Sequence, residues 1–143
     1  MTTLVVDASV AIKWVVEEQG TPEALALRKS KLIAPELLLA ECANILWKKA
    51  RRAEFTNDEA FLAARLLQNA DVEIVPMRPL LDTATRLAVA LDHPAYDCIY
   101  LALAVARDCP LITADNRLLG RLAQSRQPTL RARAIRLTDA VTP

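Results

Sequence analysis

Four acidic residues sit where their surroundings call for a reason. Asp7 follows the apolar run Leu4-Val5-Val6, and Asp115 follows Leu111-Ile112-Thr113-Ala114. Each falls between an expected strand and an expected helix. Asp97 lies in the first turn of a strongly apolar helical segment. Glu41 has Leu37, Leu38 and Ile45 at helical spacing, which places all four on one helix face. A carboxylate on an apolar face needs a partner to stay charged. The nearby cations, Lys48 and Lys49, lie about two turns along and are poorly placed to pair with it. Each aspartate taken singly suits a helix start, where it caps free N–H groups and complements the helix dipole. The acids are thus either separate caps or members of one cluster.

A cluster has a definite chemistry. Two carboxylates about 5 Å apart repel by roughly 3 kcal/mol at an effective dielectric of about 20. Four together need a cation or partial protonation. An all-oxygen set without histidine suits Mg²⁺ or Mn²⁺ rather than zinc. Such ions orient a phosphate, activate a water and stabilise a leaving oxygen. Metal-assisted phosphodiester hydrolysis is therefore the chemistry expected of Asp7, Glu41, Asp97 and Asp115. Ser9 and Thr113, beside the aspartates, are expected to hold the carboxylates by hydrogen bonds from outside the metal's own ligands. Asn116 is a candidate for a metal-water or phosphate contact. Helix capping explains Ser9 and Asn116 equally well.

Positioning these acids requires particular elements. Apolar runs predict strands at residues 4–6, 32–34, 72–75 and 111–113, with a last one near 134–137. Helices are expected over 9–16, from Thr21 as N-cap to about 31, over 35–52, after the Thr56–Glu59 capping box to about 69, and over 79–91, 96–107 and 116–124. Strands alternating with helices predict an α/β fold, a central, mostly parallel sheet flanked by helices as α/β/α. In such a sheet the strand C-termini share an edge where ligands bind, so Asp7 and Asp115 should point into one crevice.

Composition narrows the field. With 143 residues, 53% hydrophobic and 24% charged, the chain is expected to be one domain, 1–143, with a real core. Only Gly20 and Gly120 occur, which excludes a glycine-rich phosphate loop. A single histidine, His93, argues against a His-based zinc site or a Ser-His-Asp triad. Cys42, Cys98 and Cys109 show no CxxC spacing and read as buried thiols in a reducing compartment. A Cys₃His zinc site with His93 fits no known spacing. The start Met1-Thr2-Thr3 lacks a basic region, and Asp7 cuts the following apolar run, so no secretory leader is expected. The most apolar stretch, 98–106, is far short of the roughly 18 residues of a membrane span. The expectation is a soluble, cytoplasmic protein with no membrane contact.

The net charge of +1 names no partner, but the positions of the cations are informative. No acid occurs between Asp115 and Asp139, a stretch holding Arg117, Arg121, Arg126, Arg131, Arg133 and Arg136. Lys48, Lys49, Arg51 and Arg52 form a second group. Such runs are either a solvated face or, beside a metal centre, a grip on a nucleic-acid backbone; Lys48, Lys49, Arg51, Arg52, Arg117 and Arg121 are the candidates. At 4% aromatics an extended base-stacking platform is not expected. Trp14 and Trp47 read as core or interface residues. The abundance of apolar helix faces predicts a symmetric dimer and a groove for a partner segment.

The combined pattern resembles the PIN-domain family. Val5-Val6-Asp7-Ala8-Ser9, Glu41 within Leu39-Ala40-Glu41-Cys42-Ala43-Asn44, Tyr96-Asp97-Cys98-Ile99-Tyr100-Leu101-Ala102-Leu103-Ala104, and Leu111-Ile112-Thr113-Ala114-Asp115 are similar to its four acidic motifs, in order. Length and build resemble the VapC toxins of type II toxin–antitoxin modules. The resemblance implies a PIN-like domain and a Mg²⁺-dependent (or Mn²⁺-dependent) endoribonuclease. It also implies a homodimer inhibited by a cognate VapB-like antitoxin, with Asp7 and Asp97 as direct metal ligands and Glu41 and Asp115 as the remaining acids. An antitoxin placing a basic side chain near the acids would mimic the cation. The family also contains RNA-processing nucleases outside toxin modules. Two rivals remain: a non-catalytic RNA- or protein-binding module that uses the acids as caps, and phosphatase-like hydrolysis of small substrates. Convergence of Glu41 with the three aspartates separates the first from a nuclease.

Overall fold

The computed structural model describes residues 2–140. The ends of the expected domain, residue 1 and residues 141–143, lie outside the described residues. Strands β1 (Thr3–Val6), β2 (Lys31–Pro35), β3 (Glu73–Val75), β4 (Leu111–Thr113) and β5 (Ala134–Arg136) form one sheet in the order β3-β2-β1-β4-β5. All four pairings are parallel, with Val5 beside Ile33 and Val6 beside Ile112. The helices in chain order are α1 (Ala8–Ala11), α2 (Thr21–Ala26), α3 (Leu37–Arg51), α4 (Asn57–Gln68), α5 (Leu81–Leu91), α6 (Ala95–Arg107), α7 (Asn116–Ala123), α8 (Pro128–Arg131) and α9 (Leu137–Ala140).

The sheet is covered on both faces, which is why its central strands read as continuous apolar runs. Val5, Ile33 and Leu111 pack with Leu101 and Leu103 of α6 on one side. Leu4, Val6 and Ile112, one residue out of phase, pack with Val10, Leu27 and Leu137 on the other. Helix α6 is buried through Cys98 and the whole run Tyr100–Ala104. Each large apolar side chain buried there contributes about 1.5–3 kcal/mol, so the helix that carries Asp97 is firmly anchored. Helices α3 and α4 pack as a hairpin, with Leu46 and Ala63 against Ile12 and Val16.

Several local expectations are corrected. Pro35 closes β2 beside Val75 instead of opening a helix; the Glu36 N–H then bonds Val75 O at 3.0 Å. Gly20, at φ 93°, is the N-cap of α2 in place of Thr21. The Thr21 hydroxyl instead donates to Val16 O and accepts from the Glu18 N–H, both at 3.0 Å. The helix expected over 9–16 is a single α turn followed by a 3₁₀ turn, Ile12–Trp14. The short helices α8 and α9 carry no long apolar period and were not anticipated. Thr56 and Glu59 do form the reciprocal capping box that opens α4. Among the described residues no helix is long and apolar enough to cross a membrane.

The sheet order places the site. Starting from β1 the chain moves outward through β2 and β3, then returns to add β4 and β5 on the opposite side. The C-terminal ends of β1 and β4 therefore flank the point where the order reverses, the natural crevice of an open parallel sheet.

Candidate active site

Asp7 and Asp115 leave that edge from adjacent strands, each as the N-cap of the helix that follows. Asp7 accepts from the Val10 N–H at 3.3 Å, and Asp115 from the Arg117 N–H at 2.9 Å. Asp97 comes from the first turn of α6 and Glu41 from the middle of α3. All four acids line one cavity of about 290 Å³, together with Ser9, Asn44, Ile45 and Lys48. Asp7 is the deepest, 4% exposed.

Two hydroxyls clamp Asp7. Ser9 Oγ donates to Oδ1 and Thr113 Oγ1 donates to Oδ2, each at 2.5 Å. The same hydroxyls accept from the loop after β4: Ser9 Oγ from the Ala114 N–H at 2.9 Å, Thr113 Oγ1 from the Asp115 N–H at 3.0 Å. Both carboxylate oxygens are thereby fixed while the ends of β1 and β4 are tied together. Ser9 bonds the carboxylate beside it in sequence, whereas Thr113 bonds that of Asp7 instead of its neighbour Asp115. Asn116 does not join the cavity; its Oδ1 accepts from Arg136 Nη1 at 2.9 Å.

Glu41 has a partner that the sequence did not reveal: Tyr100 Oη donates to its Oε1 at 2.5 Å. Tyr100 is one helical turn beyond Asp97 on α6, so one helix face serves two of the acids. Burial, with the Glu41 hydrogen bond and charge, pushes the Tyr100 phenol well above its usual range. Asn44 and Lys48, three and seven residues after Glu41, share its face and reach the same cavity, a spacing visible in the sequence. Lys49 pairs instead with Glu54 at 3.2 Å.

The histidine stands beside the oxygen donors, a neighbour for which no role was expected. His93 Nε2 lies 2.6 Å from Asp97 Oδ2, with the His93 side chain 7% exposed. One potential ligand atom from each of His93, Asp97 and Asp115 lies within 4.8 Å of the other two. His93 is four residues before Asp97, but Pro94 stands between them, and helical spacing is not expected across a break.

Charge crowding shows in the acids themselves. Burial, reinforced by the charge of Asp97, raises Asp7 to about 6 against the opposing hydrogen bonds. Asp97 is raised by burial and by Asp115, with His93 opposing. Glu41 is raised by burial and Asp97, with Tyr100 opposing. Among the described residues none of the four forms an ion pair with lysine or arginine. The donor set thus fits a hard divalent cation. Its residents would be Asp7, Glu41, Asp97 and Asp115, with His93 adjacent. The cysteines are buried and unbonded, and burial pushes Cys42 up to about 12 and Cys98 to about 11, so neither offers a thiolate.

The order of motifs, the parallel sheet and the shared acidic cavity decide the family, and residues 4–124 match the PIN domain. The chain belongs to the PIN-domain family. This PIN domain is 30% identical over 115 residues to ribonuclease VapC9 of Mycobacterium tuberculosis, covering 80% of this chain and 87% of that protein. It is 34% identical over 127 residues to ribonuclease VapC3 of Pyrobaculum aerophilum, covering 80% and 91%. The crystal structure of VapBC2 from Rickettsia felis, bound to a DNA fragment from its promoter, shares the fold with a TM-score of 0.64 at 12% identity. That match covers 94% of this chain and 98% of that one.

Other expected contacts are distributed unevenly around the PIN domain. Lys48 borders the acidic cavity, and Arg52, Arg117 and Arg121 are exposed. The Arg51 guanidinium lies over the Trp47 ring, 4.7 Å from its centroid. Arg131 donates to Ser125 O, and Arg133 to Asp108 and Cys109 O, so both help fasten the C-terminal segment. Trp14 packs in the core and donates its Nε1–H to Ala24 O at 2.8 Å, whereas Trp47 is 53% exposed. A second, apolar cavity of about 450 Å³ lies between α3, α4 and the β2–β3 side of the sheet, lined by Leu38, Leu39, Leu46, Leu67 and Ile74 among others.

Proposed function

We propose that residues 1–143 form one PIN-type nuclease domain that hydrolyses RNA phosphodiester bonds at Asp7, Glu41, Asp97 and Asp115. It would act in the cytoplasm as the toxin of a toxin–antitoxin pair. The carrying observation is the convergence of four acids from four separate segments on one cavity. Capping accounts for Asp7 and Asp115, but gives mid-helix Glu41 no reason to face them. Named relatives support the reading: VapC9 and VapC3 are ribonucleases.

Mg²⁺ or Mn²⁺ is the proposed cofactor. When bound, such an ion supplies water activation and neutralises developing phosphate charge. The chain's own part is to hold charge and position. Asp7, Glu41, Asp97 and Asp115 present carboxylate oxygens. Ser9 and Thr113 keep both Asp7 oxygens from turning, and Tyr100 restrains Glu41. Lys48 beside the acids, with Lys49, Arg51, Arg52, Arg117 and Arg121 farther out, is proposed to hold the RNA backbone.

The apolar 450 Å³ cavity suits a segment of a VapB-like antitoxin. Exposed Leu81, Val89 and Tyr96, between 65% and 78% accessible, support a homodimer. The test is RNA cleavage by purified protein with Mg²⁺ or Mn²⁺, then with excess EDTA. Cleavage is expected to stop on chelation; undiminished cleavage in metal-free protein overturns the metal assignment.

A further inference from the structure

His93 is not one of the four acids, yet its ring nitrogen contacts one of them, Asp97. Its position is fixed by the join between α5 and α6. Helix α5 ends with Asp92 in the left-handed region at φ 50°, and the His93 N–H then bonds back to Ala88 O at 3.1 Å. Pro94 follows as the N-cap of α6 and pins the backbone before the first turn. The imidazole is thus held from its own backbone, directly before the turn that carries Asp97. Its Nε2 lies 2.6 Å from Asp97 Oδ2. A carboxylate only accepts, so Nε2 carries the proton and donates it to this bond.

Asp97 needs such a hold. Asp7 is clamped at both oxygens and Glu41 is bonded by Tyr100. Asp97 stands at a helix start, with one of its ligand atoms within 4.8 Å of one from Asp115. A hydrogen bond to one oxygen fixes the rotamer and leaves the other oxygen's lone pairs available. Groups donating to ligating carboxylates typically change metal affinity by roughly 10–100-fold when removed.

We propose that His93 is a positioning residue for the metal centre, donating Nε2–H to Asp97 Oδ2 and so setting the orientation in which Asp97 meets a divalent cation. This rests on the metal-dependent reading above. It assigns His93 a role through Asp97, not as a ligand.

The test uses RNA-free, full-length protein and isothermal titration with Mg²⁺ and separately with Mn²⁺. The variants are His93→Ala, His93→Gln and His93→Asn. The glutamine amide nitrogen lies the same number of bonds from Cα as imidazole Nε2 and can donate from the same place; the asparagine amide is one bond short. The expected result is a loss of affinity of roughly 10–100-fold in His93→Ala and His93→Asn, equal for both ions, with recovery in His93→Gln. Metal-free melting curves of His93→Gln check folding independently should His93→Ala be unstable. Loss confined to Mn²⁺ overturns the proposal, because it marks imidazole as a direct ligand. Unchanged affinity in His93→Ala, or a folded His93→Gln that binds no better than His93→Asn, overturns it too. A parent protein that binds neither ion overturns the metal reading itself, and this inference with it.

Discussion

Asp7 makes a quantitative claim about stability. Its carboxyl is 4% exposed and sits near 6 in the fold, against 3.8 when unperturbed. At about 1.4 kcal/mol for each tenfold difference in proton affinity, that gap corresponds to about 3 kcal/mol. Below about pH 3.8 Asp7 is protonated both folded and unfolded and contributes nothing. Between 3.8 and 6 the unfolded chain releases the proton first, so stability falls as pH rises. Above about 6 the whole cost is present. Asp7→Asn removes the titration but leaves one of the two hydroxyls, Ser9 or Thr113, without a carboxylate acceptor. That costs about 1–3 kcal/mol relative to the ionised carboxylate. Metal-free urea melts of parent and Asp7→Asn at several pH values between 3.5 and 7.5 separate the two effects, since all other titrating groups are shared. The stability advantage of the parent should shrink by about 3 kcal/mol across the window, equivalent to roughly 6–12 °C in melting temperature. Added Mg²⁺ at pH 7.5 should stabilise the parent and not the variant. A constant difference between the two proteins from pH 3.5 to 7.5 would refute the argument that burial and charge crowding strain this site.

Asp97→Asn removes one charge while keeping size, so the metal-free protein should melt no lower than the parent yet lose RNA cleavage and most Mg²⁺-dependent stabilisation. If Asp97 served only its helix start, stability would instead drop by about 0.3–1 kcal/mol and cleavage would survive. RNA affinity of the cleavage-deficient protein should fall steeply with salt, each phosphate contact adding about 0.7 to the log–log slope on single strands. Charge reversal at Arg117 and Arg121 should lower that slope across RNA sequences, and a flat salt response would rule out a backbone grip.

Local patterning carried far in this chain. Apolar runs marked the five strands, Thr56 and Glu59 marked the start of α4, and alternation of strands and helices implied a parallel sheet. Asp7 and Asp115 were legible as candidate site residues because a parallel sheet sends every strand end to one edge. Glu41 was legible because a lone acid on an apolar face demands a reason. Glycine usage excluded phosphate loops, and the cysteines showed no CxxC spacing. All of these are short-range properties, of one turn, one strand or one cap.

Other features belong to the tertiary structure. The order β3-β2-β1-β4-β5 decides that β1 and β4 are neighbours, and so that Thr113 meets Asp7 across 106 residues of chain. The packing of α6 against the sheet decides that Tyr100, 59 residues from Glu41, becomes its hydrogen-bond donor. Pro35 and Thr21 were misplaced because proline suits a strand's last residue as well as a helix's first, and a threonine hydroxyl serves any nearby backbone group. His93 shows the limit most clearly. Its spacing to Asp97 is visible in the sequence, but only the left-handed turn at Asp92 and the packing of α5 on α6 direct the imidazole inward. Sequence determines which groups are available within a turn of one another. Which distant groups share a cavity is decided by how buried elements pack, because apolar burial fixes the helices on the sheet without regard to the few polar atoms it brings together.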